Sequence, residues 1–343
     1  LAAIARKEQS PLFLTGGTVR DILMGRPPAD IDLTVRRGGR RWAAALGRRT
    51  GGTYVPLGKE EDAARVVWQG RDIDFSSYRD GAQTIEEELA RRDITINSMA
   101  LCLDPLLEGQ PGEGYAVIDP VGGLADIELR KIRVSADDAF RGDPLRLLRA
   151  YRFAAVLGFR VEKKTAALIR RQKEMISRVA AERVAHELDL IMGSARAGEE
   201  VKAMAASGLL FEVIFELRAG VGMAQPASHH LDVFEHNLAT LQWMQRIQAE
   251  PDRYFSRDAE ALAASLAAGR NRVRLRWAAL LHDLGKPATV TINEDRGGRI
   301  TFYNHDQAGA ALVVEVGRRL RWSSEDIGAV AALVGLHMRP FHL

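Results

Sequence analysis

A change of hydrophobic period near residue 137 constrains this chain more than any other feature. Before it, short apolar runs alternate with turn residues. Pro11–Thr15, Ile31–Val35, Thr53–Leu57, Arg65–Trp68 and Asp72–Ser76 read as strands, with helices at Val19–Met24 and Arg41–Arg49 between them. After it, apolar residues recur at helical spacing in Leu145–Leu157, Thr165–Ile176, Ala181–Met192, Glu199–Ala206, Leu231–Gln248, Val273–Leu284, Asp306–Leu320 and Glu325–His337. Gly285 and Pro287 end one of these runs sharply. The polar, alanine-rich stretch Ala249–Asn271 reads as an insertion or mobile loop. A single-sheet α/β or α+β module followed by helices is expected. The length of 343 residues allows two or three such modules, and a 46% hydrophobic fraction can fill their cores.

The first segment with chemical potential runs Leu12-Phe13-Leu14-Thr15-Gly16-Gly17-Thr18-Val19-Arg20-Asp21. It reads as a strand, a glycine turn and a helix start. Glycines let the backbone approach a ligand, and a helix N-terminus favours an anion. A plain turn has the same appearance. In the following strand, Asp30-Ile31-Asp32-Leu33-Thr34-Val35, the apolar side chains share one face and Asp30 and Asp32 share the other. Residues two apart on a strand are roughly 7 Å apart. Two carboxylates so placed can hold metal ions about 4 Å apart, the arrangement used for in-line phosphoryl transfer. A solvent-facing strand edge would also carry such acids. A third acid is available at Asp72 or Asp74, opposite in face to Ile73 and Phe75.

Arg91-Arg92-Asp93-Ile94-Thr95-Ile96-Asn97-Ser98 combines guanidinium groups, suited to phosphate, with an acid that can accept from ribose hydroxyls. A salt-bridged turn is the competing reading. In Asp143-Pro144-Leu145-Arg146, Pro144 fits a first helical position and Asp143 its N-cap. The same spacing lets Asp143 and Arg146 share a face and address a base edge. Further on, His236, the joined His282-Asp283, His305-Asp306 and His337 supply imidazoles and carboxylates that suit a transition-metal ion, with His229-His230 upstream.

Several classes are disfavoured. One cysteine, Cys102, forms no internal disulfide and no Cys-rich zinc site. No apolar run approaches a membrane span, and no signal-peptide layout opens the chain, so a cytoplasmic setting is expected. A net charge of +3, with paired arginines such as Arg36-Arg37 and Arg40-Arg41, permits a polyanionic partner without requiring one.

Gly16-Gly17-Thr18-Val19-Arg20-Asp21 followed by Asp30-Ile31-Asp32 closely resembles the signature of class II tRNA nucleotidyltransferases (CCA-adding enzymes) and bacterial poly(A) polymerases. The resemblance implies a polymerase-β-like head with a small mixed sheet at 1–135. A helical neck would follow at 136–215, and a helical HD-like body at 216–343. Full-length members are often longer, which leaves room for an RNA-binding tail beyond this sequence.

By this likeness Asp30 and Asp32 are ligands of two Mg²⁺ ions. Asp74, within Ile73-Asp74-Phe75-Ser76-Ser77-Tyr78-Arg79, becomes the third carboxylate in preference to Asp72. Gly16, Gly17 and Arg20 would steady the triphosphate. Asp93 would contact the ribose, and Arg92 and Asn97 phosphate or ribose. Asp143 and Arg146, joined by Arg149, would select CTP or ATP. Gly142 stands where the family usually has Glu, which touches support of that pair. Glu182-Arg183-Val184-Ala185-His186-Glu187-Leu188 is similar to the motif that closes the neck, where Glu182 and Arg183 are expected to be structural.

The histidines resemble those of HD metal-dependent phosphohydrolases, with His236, His282, Asp283 and His305 as the metal set and Asp306 or Asp326 as candidates for its late acid. The expected reaction is template-independent addition of CMP and/or AMP to the 3′ end of tRNA or another RNA. The segment between Arg79 and Arg91 is short for a full CCA-adding enzyme. That points to a CC-adding specialist or to residues absent from this sequence. A poly(A) polymerase, an HD phosphohydrolase with a nucleotide-binding head, and a catalytically dead RNA-binding protein are the alternatives. Oligomeric state is not legible.

Overall fold

In the computed structural model, which describes residues 1–58, 61–109, 116–226, 230–294 and 297–339, two compact units divide the chain at Ala139 and Phe140. The first is built on a seven-stranded sheet. Its strands are β1 (Leu12–Thr15), β2 (Ile31–Val35), β3 (Thr53–Leu57), β4 (Ala63–Trp68), β5 (Arg71–Ser77), β6 (Ala100–Cys102) and β7 (Val117–Ile118), in the order β3-β4-β5-β2-β1-β6-β7. Only β2 and β5 run parallel, so the sheet is mixed.

Alternation along the strands gives the sheet one apolar and one polar face. Leu12, Leu33, Val35, Ala64, Val66, Ile73 and Phe75 are buried together with Trp42 of the helix Gly39–Thr50. The Trp42 and Phe75 rings lie 6.4 Å apart. The other face carries Thr15, Asp32, Thr34, Arg65, Asp74 and Ser76 at the same alternating positions. Burying the apolar set, at roughly 1.5–3 kcal/mol for each large side chain, fixes the register. A slip of one residue would bury the acids instead. The expected strands at 31–35 and 53–57 coincide with β2 and β3, and the remaining strand ends differ by one or two residues.

The second unit is chiefly helical. Arg146–Leu157, Lys163–Gln172, Ala181–Gly193 and Ala197–Ser207 come first; Val233–Ala249, Asn271–Leu281, His305–Arg319 and Ser324–Leu336 follow. Asp232 and Ser323 cap two of these, accepting from Glu235 N at 2.7 Å and from Asp326 N at 3.0 Å.

Several expectations need correction, among them the helix expected at Val273–Leu284, which ends at Leu281. The single helix expected at Thr165–Ile176 ends at Gln172 and continues as 3₁₀ turns over Lys173–Arg178. The stretch expected to be an insertion or loop contains the helices Pro251–Tyr254 and Ala259–Ala267. Pro251 suits a first turn, the alanines favour helix, and the Tyr254 ring packs edge-on against Trp243 at 6.4 Å. A hairpin of Thr291–Asn293 with Arg299–Thr301 also interrupts the helices, since β-branched residues there have no helical apolar stripe to bury. Among the described residues, no helix is long and apolar enough to cross a membrane.

Candidate active site of the head and metal centre of the body

The polar face of the head sheet gathers most of the acids and cations singled out above. Asp32 on β2 and Asp74 on β5 are direct partners in the parallel register. Asp30 immediately precedes β2. The Thr18 hydroxyl donates to Asp30 O at 3.0 Å and accepts from Asp32 N at 2.7 Å, which ties the first helical turn after β1 to the carboxylate strand.

At the end of β1, Gly16 has φ +66°, and a Cβ there would lie 2.9 Å from Arg92 Nη1 and 3.0 Å from Asp32 Oδ2. Only glycine accommodates both the left-handed backbone and the close approach. Gly17 follows in the same turn. Arg20, one turn on, donates to Asn97 Oδ1 at 2.7 Å and pairs with Asp21 at 2.8 Å.

Arg92 reaches beneath the carboxylates. Its Nη2 donates to Thr15 Oγ1 at 3.2 Å and Thr34 Oγ1 at 3.1 Å, and the wholly buried Glu88 lies 3.6 Å away. The hydroxyls of Thr15, Thr34 and Ser76 form a ladder under the site, at 2.8 and 3.2 Å. Burial pushes the Asp32 carboxyl above its usual range; Arg92 opposes this, while Asp74 and Asp30 reinforce it. Burial likewise pulls the Arg92 guanidinium down. Asp93 is buried, and its Oδ1 accepts from Ile94 N at 2.9 Å.

The sequence reading missed Arg65 on β4, the register partner of Asp74. Its Nε and Nη2 grip the two oxygens of Asp74 at 2.7 and 2.8 Å, and its Nη1 pairs with Asp72 Oδ2. Asp72 is therefore held by Arg65 and lies outside the row formed by Asp32 and Asp74. The signal was present in the alternation of Ala63–Trp68, which puts Arg65 on the face of the acids, but the hairpin register was not. Carboxylate oxygens such as those of Asp30, Asp32 and Asp74 are the donors a hard divalent cation takes, although these three do not bring ligand atoms within 4.8 Å of one another and Arg65 holds both oxygens of Asp74.

In the second unit the helix starts at Arg146 with Leu145 at its N-cap and no side-chain cap, so Pro144 is not its first residue and Asp143 not its cap as expected; Asp143 Oδ1 instead accepts from Leu145 N at 3.2 Å in the turn before it. Its Oδ2 pairs with Arg183 at 2.9 Å. Arg149 lies 3.6 Å from the buried Glu187, which also holds Arg152 at 2.7 Å. Arg146 starts the helix, one turn ahead of Arg149. Arg183 and Glu187, both on Ala181–Gly193, thus brace two of the three residues expected to address the nucleotide.

The body brings its histidines together around Asp283. His282, His305 and His337 lie 3.2, 3.3 and 3.6 Å from its carboxylate, and His236 lies 3.6 Å away. Among the described residues, two sets have ligand atoms within 4.8 Å of one another: His236, His282, Asp283 and Asp283, His305, His337. His337 therefore joins the expected four. His229 lies outside the described residues. Asp326 is engaged elsewhere, with Arg274 at 2.7 Å and Ser323 at 2.7 Å.

Three of these imidazoles share a backbone device. The Nδ1 atoms of His282, His305 and His337 lie 3.0, 2.7 and 2.7 Å from the carbonyls of Ala279, Phe302 and Val334. A donating Nδ1–H leaves the Nε2 lone pair facing the centre, as a metal ligand requires. His305 Nε2 and His337 Nε2 are 3.1 Å apart, a contact that a shared cation relieves. Asp283 Oδ2 is buried without a well-directed hydrogen bond, although Lys286 Nζ lies 2.6 Å away. Burial raises the Asp283 carboxyl, but the close imidazoles of His282, His305 and His337 outweigh it and hold the group far below its usual range. Gly285 makes this convergence possible. A Cβ there would lie 2.2 Å from His305 O, so any side chain would push His305–Arg319 away.

Models of three families match segments of the chain. The family described as "Poly A polymerase head domain" matches residues 12–133, "Probable RNA and SrmB- binding site of polymerase A" matches 158–219, and "HD domain" matches 233–342. The chain is 36% identical to the A-adding tRNA nucleotidyltransferase of Deinococcus radiodurans over 330 residues, covering 95% of this chain and 68% of that protein. It is 39% identical over 213 residues to the CC-adding tRNA nucleotidyltransferase of Geobacter sulfurreducens, covering 61% of this chain and 46% of that one. A crystal structure of a tRNA nucleotidyltransferase complexed with a primer tRNA and an incoming ATP analogue superposes with a TM-score of 0.63 at 25% identity, covering 82% of this chain and 74% of that one. With a relative 36% identical along 95% of this chain and a matching head-domain model, the chain belongs to the tRNA nucleotidyltransferase and poly(A) polymerase family.

Proposed function

We propose that this chain adds CMP, AMP or both to the 3′ end of tRNA without a nucleic-acid template. The observation that supports this best is the row of Asp32 and Asp74 beside Gly16 and Arg92. Asp30, Asp32 and Asp74 would hold Mg²⁺, which when bound supplies activation of the RNA 3′-hydroxyl and stabilisation of charge on the departing pyrophosphate. Having no side chains, the Gly16–Gly17 turn would let the triphosphate come close to the backbone. Arg20 and Arg92 would balance phosphate charge, and Asn97 keeps Arg20 in place. Asp93 would accept from a ribose hydroxyl. Asp143, Arg146 and Arg149 would read the base edge, with Arg183 and Glu187 restraining them. The RNA would be gripped mainly through its shape and backbone charge, in the cytoplasm where tRNA is processed.

The test supplies purified protein with tRNA lacking all or part of its 3′ CCA, and with CTP and ATP separately and together. Addition that stops after CC, addition of A alone, stepwise CCA and long A tails are the four distinguishable products. No incorporation with any of these would overturn the proposal.

The histidine cluster favours a second activity in the body, metal-dependent phosphohydrolysis. His236, His282, Asp283, His305 and His337 would hold one or two transition-metal ions, which supply an activated water. Phosphate release from 2′,3′-cyclic nucleotides with Ni²⁺ or Mn²⁺, compared between the protein and its His282→Ala variant, decides it. Equal release by the two excludes the cluster.

A further inference from the structure

Arg65 has no part in the scheme above, yet it occupies the acid that scheme uses. Across the polar face, Arg65 on β4, Asp74 on β5 and Asp32 on β2 form one row in register. Both oxygens of Asp74 are engaged by the guanidinium, in the two-pronged geometry that binds a carboxylate most firmly. The third arm reaches Asp72, two residues away on the same strand and face. A cross-strand tie alone would not need this arrangement, because Ala64, Val66, Ile73 and Phe75 already bury the other face of the same hairpin.

We propose that Arg65 is the resident counter-ion of the head site: it orients Asp74 when no divalent cation is bound, and yields or shares that carboxylate when one binds. Arg65 is thus a positioning residue, and its charge sets how much metal the head requires. Asp72 gives the displaced guanidinium somewhere to go, since it already holds one arm and does not face Asp32. Arg65 is also partly open to solvent, with a side-chain exposure of 31% against 12% for Arg92, so it can shift where Arg92 cannot. The proposal rests on the nucleotidyl-transfer reading of the head.

The experiment titrates the full chain with Mn²⁺ alone, without nucleotide, and follows free Mn²⁺ by electron paramagnetic resonance. The head contribution is the difference from the Asp32→Ala variant, which leaves the histidine cluster intact. Removing a unit positive charge beside the ligands in Arg65→Gln should tighten that contribution about tenfold. Arg65→Lys, which keeps the charge but loses the fork, should fall between Arg65→Gln and the unaltered protein. Both variants should lose turnover at saturating Mg²⁺, because Asp74 is no longer oriented.

Unchanged or weaker Mn²⁺ binding in Arg65→Gln, with an unaltered circular dichroism spectrum, overturns the inference. If that variant does not fold, unchanged binding in Arg65→Lys overturns it equally. Should Asp32→Ala leave Mn²⁺ binding of the parent protein untouched, the nucleotidyl-transfer reading falls and takes this inference with it. If only the Arg65 variants lack effect, that reading stands.

Discussion

The two candidate metal sites solve opposite electrostatic problems. In the head, carboxylates crowd one another on a sheet face, and burial pushes Asp32 towards its neutral form. In the body, one carboxylate lies within a ring of imidazoles and beside Lys286, and its charged form is strongly favoured. The head therefore offers carboxylate oxygens that Arg65 and Arg92 partly offset, a donor set that suits a hard ion. The body has imidazole nitrogen donors around a single compensated anion, which suits a softer one. The lesson is that two sites in one chain can differ in donor chemistry and in how their charges are offset.

The largest test of this contrast is Asp32→Ala. Nucleotide incorporation into tRNA should fall at least about 10³-fold, with body hydrolysis of cyclic nucleotides unchanged. Incorporation equal to that of the unaltered protein would break the head side of the comparison. His282→Ala is the mirror experiment. Ni²⁺ affinity, measured by isothermal titration, should drop about 10–100-fold while incorporation persists.

A smaller effect is expected from Arg146→Ala, which should reduce the preference between CTP and ATP about tenfold, read as a ratio of kcat/KM values. Unchanged selectivity would remove Arg146 from base reading. The smallest effect concerns stability. Asp32 has its carboxyl raised in the folded chain, so its ionised form costs stability above that raised value. Asp32→Asn should therefore melt higher than the parent by roughly a few degrees at neutral pH without metal. The gap should close below about pH 4, where the carboxyl is protonated in folded and unfolded chains alike. A lower melting temperature at neutral pH would contradict the crowding seen in the head.

Much of the head was legible because strands reveal their faces through alternation. Asp30-Ile31-Asp32 and Ile73-Asp74-Phe75 each state which side chains are buried and which are not. The helical body was legible as a series of amphipathic stripes, although the alanine-rich stretch hid two helices. The Asn271–Leu281 helix also ended earlier than its apolar pattern suggested, with His282 at its C-cap.

Periodicity could place Asp32 and Asp74 on polar faces, because a strand's alternation is a local property of its backbone. It could not say that they are neighbours, or that Arg65 faces Asp74, because strand order and register come from how the apolar faces pack. The histidines show the same division. His282-Asp283 announces itself in sequence, whereas His236, His305 and His337 lie far along the chain and converge only because separate helices bury their stripes together and Gly285 lets one of them come close.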